Sequence, residues 1–120
     1  MNDVQTLLES AGDDRELAGE LLEMFKEQAM EEIGVLTDAS QRCDAKEVAR
    51  TAHKMVGSAV ACGFISLSKE LRSIELQGLH DGSADIKERI EFLKQLLEKG
   101  CNEMTRQLAD ERVYEEGAHS

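Results

Sequence analysis

The chain has 120 residues, lacks proline and carries only 3% aromatic residues, a composition that favours helices over sheets and one domain. Its formal net charge of -11, from 25 acidic and 14 basic residues, argues against nucleic acid or an anionic membrane surface as a partner. Cys43, Cys62 and Cys101 form no CxxC pair and match no metal motif, so we expect reduced thiols, no metal site and a cytoplasmic location.

The apolar pattern begins with a short helix and continues with a long one. Gly12 is expected to end the short helix. The long helix is predicted from about Asp14 to Arg42, with apolar residues at the spacing of a bundle helix. The apolar face of the short helix holds Val4, Leu7, Leu8 and Ala11. The buried stripe of the long helix is predicted to be Leu17, Leu21, Phe25, Ala29, Ile33, Leu36 and Ala39.

Three further amphipathic helices are predicted. The third helix runs from Asp44 to about Cys62, where Gly63 is expected to end it, and the fourth runs roughly from Ile65 to Leu79. A polar link, residues 80–83, then reverses the chain. The third helix should bury Val48, Ala52, Met55, Val56 and Ala59. The fourth should bury Leu67, Leu71, Ile74 and Leu79, and the last should bury Ile86, Ile90, Leu93, Leu97, Cys101, Met104 and Leu108.

Short links between four amphipathic helices predict an all-α fold, an antiparallel up-down four-helix bundle with a short extra N-terminal helix. We assign residues 1–112 to this domain and expect residues 113–120 to form a frayed tail. Asp-x-x-Glu pairs can cap helix starts, because the Asp accepts a backbone N–H and the Glu reaches back. The predicted starts are Asp13 with Glu16, Asp44 with Glu47, and Asp85 with Glu88.

His53 and Gly57 stand one turn apart on the third helix. A glycine inside a helix costs about 1 kcal/mol relative to alanine, so Gly57 requires a reason. The helical register places His53 at the boundary between the buried face and solvent. Basic residues recur nearby at every fourth position, and they either attract an acidic partner or form an ordinary solvated face with Asp44 and Glu47. This basic ridge consists of Arg42, Lys46, Arg50 and Lys54.

These features suit phosphoryl transfer onto imidazole. Such a reaction needs an accessible neutral nitrogen as nucleophile, cations to hold the phosphoryl oxygens, and a gap through which a second protein can bring the donor. Gly57 would supply the gap. The sequence contains no glycine-rich phosphate loop, so we expect the phosphoryl group to come from another protein.

Residues 52–75 resemble the signature of the histidine-containing phosphotransfer (HPt) domains, AHxxKGSSxxLGxxxLxxxxxxLE, and the resemblance covers about residues 20–75. The resemblance implies a four-helix bundle that is phosphorylated on His53 and has no autonomous catalytic turnover. It also implies receiver domains as partners, with Mg²⁺ supplied by the receiver and no cofactor of the chain's own. We expect a monomer. The matching residues are Ala52, His53, Gly57, Ser58, Gly63, Leu67 and Glu75, with Ile74 as a hydrophobic exchange.

The chain departs from the signature at Val56, where the family usually has a lysine. We therefore assign phosphate stabilisation to Lys54, together with Arg50 or Lys46. Gly57 and Ser58 are assigned to partner clearance. Glu75 resembles the glutamate that orients the imidazole in the chemotaxis-kinase branch of the family.

Alternative interpretations remain open at the level of sequence. The chain could be a helical adaptor that binds receivers without being phosphorylated, or the phosphoacceptor domain of a larger histidine kinase. Gly57 could serve close helix packing, and Glu75 could be an exposed helix carboxylate.

Overall fold

Five α-helices and one π-helical turn account for most of the chain. A computed structural model describes residues 2–82 and 84–119, with side chains as far as residue 110, and contains no strand in this part of the chain. The helices are α1 (Val4–Ser10), α2 (Arg15–Gln41), α3 (Ala45–Ala61), α4 (Ile65–Leu76) and α5 (Lys87–His119), and the π-turn (Gln77–Asp81) directly follows α4.

The four long helices form a ring around one core. Helix α2 packs against α3 and α5, and α4 packs against the same two helices, so α2 and α4 lie on opposite corners. Links at residues 42–44 and 62–64 are short enough to reverse the chain between neighbours. The short helix α1 contacts α2, α3 and α5. The predicted all-α bundle with an extra N-terminal helix is confirmed.

Two of the three predicted helix starts are wrong. The side chain of Asp14, not Asp13, caps α2 by accepting the backbone N–H of Leu17 at 3.0 Å. Asp13 has a φ of 64° and belongs to the turn after α1, whereas an N-cap residue requires an extended backbone. Helix α5 begins at Lys87, two positions beyond Asp85. The Asp44 cap is confirmed, because its carboxylate accepts the N–H of Glu47 at 3.1 Å.

Gly63 ends α3 as predicted and also allows the N-terminus to pack there. Its φ is 80°, a conformation that favours glycine. The N–H of Asp3 donates to the Gly63 carbonyl at 2.8 Å, and a Cβ at position 63 would lie 2.1 Å from the Asp3 carbonyl oxygen. Any side chain at position 63 would therefore displace the segment that leads into α1.

The buried stripe of α2 differs from the prediction at its N-terminal end. Leu17 is 41% exposed and Leu21 is only partly buried, whereas Ala18 and Leu22 are buried. A strict four-residue spacing rotates by about 40° per step around a helix with 3.6 residues per turn, so the predicted stripe drifts off the core. From Phe25 to Ala39 the predicted stripe is confirmed.

The predicted core positions of α1, α3 and α5 are all buried, so those three faces are confirmed. In the fourth helix Leu67, Leu71 and Ile74 are buried as predicted, but Leu79 is 63% exposed. The change from α-helix to π-turn after Leu76 rotates the following side chains, and Leu79 therefore leaves the core face. The same turn includes His80 and Asp81, which were predicted to lie in a polar link.

Helix α5 continues to His119, and the predicted fraying of residues 113–120 stays a prediction. The segment contains no proline that would force the helix to end. Among the described residues, no helix combines the length and the apolar character that crossing a membrane requires.

Candidate functional site

His53 lies on the solvent-facing side of α3, as the helical register predicts. Its side chain is 75% exposed, although the preceding residue, Ala52, is completely buried in the core. Consecutive residues on a helix point about 100° apart, so burial of Ala52 leaves His53 at the edge of the buried face. The imidazole can therefore be reached from outside without any change in the bundle.

Glu75 of α4 holds one nitrogen of that imidazole. The distance from His53 Nδ1 to Glu75 Oε2 is 2.5 Å, and the Glu75 side chain is only 12% exposed. An ionised carboxylate has no proton to donate, so Nδ1 carries the hydrogen and donates it to Glu75. In the neutral ring Nε2 is then unprotonated and has a free lone pair. The contact thus leaves Nε2 as the nucleophilic nitrogen of an exposed histidine.

A close approach between the π-turn and α3 lies beside Glu75. A Cβ at Gly78 would sit 2.9 Å from the Ala45 carbonyl oxygen and 3.1 Å from the Ala49 Cβ. Glycine has no Cβ, and this allows the two backbones to come this close. Gly78 follows Glu75 by three residues, so this contact brings the end of α4 near enough to α3 for the carboxylate to reach His53.

Three of the four ridge cations already contact carboxylates. Arg42 Nε donates to Asp38 at 2.8 Å, and this hydrogen bond, followed by the attraction of Asp38, raises the pKa of Arg42. Arg50 donates to Glu47 through both Nε, at 3.1 Å, and Nη2.

Lys54 and Lys46 complete the ridge. Lys54 Nζ lies 3.4 Å from Glu32 Oε1 on α2. Lys46 is exposed and forms no ion pair within the described part of the chain. The interpretation as a solvated face of paired charges therefore applies to most of the ridge in the unphosphorylated chain, and Lys46 is the exception.

Gly57 lies in open space one turn after His53. Apart from its chain neighbours and the backbone of its own helix, a Cβ added there would meet no described atom within 4 Å, so packing between helices does not explain the glycine. Ser58 is half-buried beside it. Val56, at the position where the family signature has a lysine, belongs to the hydrophobic core cluster and is 9% exposed. That position cannot supply a cation to His53 in this chain.

The cysteines do not gather around His53. Cys43 is exposed, Cys62 is half-buried and Cys101 is buried. Burial raises the pKa of the Cys62 thiol and raises the pKa of Cys101 to about 11. In the residues that the structure describes, no group of three or more histidine, cysteine or acidic side chains could hold a metal ion.

Two residues near the site were missed by the sequence analysis. Glu32 contacts Lys54 across two helices, and no spacing rule along one chain segment reveals such a pair. Gly78 carries a weak signal, because a glycine inside a helical pattern indicates close approach or a change of helix geometry. The contact between Glu75 and His53 brings together two residues that the family resemblance had already selected.

Comparisons with known proteins identify the fold and the family of the chain. The chain matches the family described as the Hpt domain over residues 20–111. No curated protein matches it. The crystal structure of histidine-containing phosphotransfer protein B (HptB) from Pseudomonas aeruginosa PAO1 has a TM-score of 0.76 at 18% identity and covers 91% of this chain and 95% of its own. At that identity the similarity shows the shared fold. Because the family match extends over most of the bundle, the chain belongs to the Hpt domain family.

Proposed function

We propose that this chain is a phosphorelay intermediate, which accepts a phosphoryl group on His53 from the phosphoaspartate of one receiver domain and passes it to the aspartate of another. Membership of the family supports a phosphotransfer role in two-component signalling, with receiver domains as the class of partner. Domains of this family carry phosphoryl groups and do not catalyse turnover by themselves.

The contact between Glu75 and His53 is the observation that carries the proposal. In the transfer step the Nε2 lone pair attacks the phosphorus of the aspartyl phosphate, a P–N bond forms, and the P–O bond to the aspartate breaks. The ring then becomes positively charged. Glu75 accepts the Nδ1 hydrogen throughout and stabilises that charge. Return transfer reverses these bonds, with the receiver carboxylate as nucleophile.

The receiver brings the remaining components in this proposal. Its Mg²⁺ would neutralise the transferred oxygens, as phosphoryl transfer requires, and the chain itself needs no cofactor. Gly57 leaves open space one helical turn after the nucleophile, and we assign the half-buried Ser58, the next residue, to the same clearance. Of the assigned cations, Lys46 is exposed and unpaired among the described residues, whereas Arg50 and Lys54 must leave a carboxylate before they reach the phosphoryl group.

Exposed apolar residues lie on the two helices that meet at His53 and favour a protein partner. Val60 follows His53 by two turns on the same face of α3 and is exposed, as are Leu76 and Leu79 beyond Glu75. Protein interfaces typically have such an apolar centre with a polar rim. We propose that a receiver docks here onto a monomeric chain, without nucleic acid or membrane, and that this occurs in the cytoplasm.

The oriented histidine favours a phosphoryl carrier over an unphosphorylated adaptor. An adaptor needs a docking face, but it gains nothing from an acceptor that holds Nδ1 and frees Nε2. If the chain were the phosphoacceptor domain of a larger histidine kinase, the chemistry at His53 would be the same and only the source of the phosphoryl group would differ.

The proposal is tested by incubating the chain with a receiver that carries labelled phosphate on its aspartate. We expect acid-labile, base-stable label on the wild type and no label on His53→Gln. His80→Gln is the matched control and should accept label normally, because His80 is an exposed residue of the π-turn. Failure of the wild type to accept label from any receiver of the same cell, or label retained by His53→Gln, would contradict the proposal.

A further inference from the structure

Two neighbouring side chains at the site are drawn toward different helices. His53 contacts Glu75 on α4, whereas the next residue, Lys54, contacts Glu32 on α2. The register alone separates adjacent side chains by about 100°. The two carboxylates maintain this separation, and the Lys54 ammonium therefore lies on the side of α3 away from the imidazole.

Glu32 is a largely buried carboxylate that depends on Lys54. Its side chain is 12% exposed, and its Oε1 lies 3.4 Å from Lys54 Nζ and 3.5 Å from Gln28 Nε2. A charge removed from water needs compensating partners, and Lys54 is the cation that supplies this compensation here. The pair thus favours the position in which Lys54 points toward α2.

Lys54 is better able than Arg50 to leave its carboxylate. Arg50 donates two hydrogen bonds to Glu47, which lies three residues earlier on the same helix. Lys54 makes one longer contact across helices, and its side chain is 71% exposed. A lysine ammonium on a flexible four-carbon stem can move to a new anion without breaking a paired geometry.

We propose that Glu32 is a positioning residue, which holds Lys54 away from unmodified His53 and releases it to the phosphoryl group once His53 is phosphorylated. This inference rests on the proposed function. A phosphoryl group carries a charge of about -1.5 to -2 and three acceptor oxygens, so it competes for the ammonium more strongly than one carboxylate does. Glu32 and the phosphoryl group therefore compete for the same cation, and Glu32 lowers the stability of the phosphorylated state.

The exchange is tested by ³¹P NMR on chain phosphorylated with phosphoramidate, a small donor that requires no receiver. The observable is the pH midpoint at which the phosphoryl resonance shifts, because a nearby ammonium disfavours a proton on the phosphoryl group or on its ring and lowers that midpoint. The resonance of His53 is identified by its loss in His53→Gln. Because the donor is a small molecule, these results are independent of whether receivers transfer phosphate to the chain.

We expect Glu32→Gln to lower the midpoint by about 0.5 pH unit, roughly a threefold gain in favour of the deprotonated form, which is the scale of an exposed ion pair. Glu31→Gln, on the exposed neighbouring residue of α2, makes the same charge change and should have a smaller effect. Lys54→Gln should raise the midpoint above that of the wild type.

The double variant separates the movement of Lys54 from Glu32 to the phosphoryl group from a general effect of removing a negative charge. In a Lys54→Gln background, Glu32→Gln should shift the midpoint no more than Glu31→Gln does, because the cation that Glu32 controls is gone. A Glu32→Gln shift that persists in this background, or that equals the Glu31→Gln shift in the wild type, would overturn the proposal. Lys54 is exposed, so an unchanged midpoint in Lys54→Gln would overturn it independently of how Glu32→Gln folds.

Discussion

At the scale of single residues, Glu75 is the residue that makes His53 chemically distinct. A histidine with equal access to both nitrogens could carry its proton on either one, whereas the 2.5 Å contact assigns the proton to Nδ1. In the proposed transfer the same carboxylate would stabilise the positive ring that forms when Nε2 binds phosphorus. Both effects act on the transfer step, and neither requires Glu75 to touch the phosphoryl group.

We therefore expect Glu75→Gln to slow transfer from a phosphorylated receiver by about tenfold, the rate equivalent of losing a hydrogen bond to a charged group. The control is Glu70→Gln on the same helix, which removes a carboxylate bound to Arg89 at 3.0 Å and leaves His53 untouched. Rapid-quench measurement of the transfer rate distinguishes the two. Equal rates for both variants would show that Glu75 does not orient the imidazole.

Two substitutions at Gly57 separate the stability of the helix from the rate of phosphoryl transfer. Its Cβ position is open, so Gly57→Ala should stabilise the chain by about 0.5–1 kcal/mol through the better helix propensity of alanine. Gly57→Gln should also keep the bundle folded, but its longer side chain would occupy the space proposed for the receiver and slow transfer. Transfer by Gly57→Gln at the wild-type rate would exclude a clearance role.

The site residues differ in how far the sequence could predict them. His53 and Gly57 follow from the register of one helix, and the family resemblance selected Glu75. The carboxylate that holds Lys54 could not be predicted, because Glu32 lies on another helix and its contact depends on the rotation of α2 against α3. Contacts across helices require the packing geometry, which a pattern along one segment does not contain.

At the scale of the helices, the junction of α4 and the π-turn positions the carboxylate of the site. The close approach of Gly78 to Ala45 and Ala49 leaves no room for a side chain. A π-turn is a common feature of functional sites, and here it starts two residues after Glu75. Packing of this turn therefore influences the distance between Glu75 and His53.

Gly78→Ala should destabilise the chain by about 1–3 kcal/mol, the usual cost of overpacking, because the added methyl group meets backbone 2.9 Å away. Gly34→Ala is the control, since a Cβ at that position in α2 meets no neighbouring helix within 4 Å. This substitution should stabilise the chain slightly, because alanine favours the helix. Chemical denaturation measures both. If the two variants had the same stability, the contact at Gly78 would be less tight than the distances indicate.

The sequence was sufficient to predict the helices and most of their buried faces. It was not sufficient to predict which side chains near the ends of α2 and α4 face the core. The stripe of α2 is correct from Phe25 onward, where spacings of three and four residues average close to the helical period. The predicted stripe is wrong at Leu17, because the two four-residue steps between Leu17 and Phe25 each add about 40° of rotation away from the core. The predicted burial of Leu79 is wrong for a different reason, since the π-turn changes the number of residues per helical turn.

At the scale of the whole molecule, the buried thiols link folding to pH. Burial raises the pKa of Cys62 from 9.0 and raises the pKa of Cys101 to about 11. Above pH 9 the unfolded chain releases thiol protons that the folded chain retains, so the unfolded state is favoured as pH rises. The contribution of Cys101 to stability is complete below pH 9 and is lost as pH rises through about 11, and the raised pKa of Cys62 acts in the same direction.

The free energy of unfolding should thus fall between pH 9 and about 11, with a share on the order of 1–2 kcal/mol from Cys101. Cys101→Ala removes that titration and should give a flatter pH profile, even though its stability at pH 7 is lower. Cys43→Ala changes an exposed thiol and should leave the slope unchanged. Parallel profiles for the wild type and Cys101→Ala would contradict the assignment.

In the proposed reaction a receiver transfers phosphate to one particular nitrogen of one histidine. The most direct measurement is ³¹P–¹⁵N correlation NMR on chain with ¹⁵N-labelled histidine, after incubation with a phosphorylated receiver. We expect a phosphoryl group coupled to Nε2 of His53, with Nδ1 still protonated and donating to Glu75. Phosphate on Nδ1, on another histidine or on no histidine would contradict it.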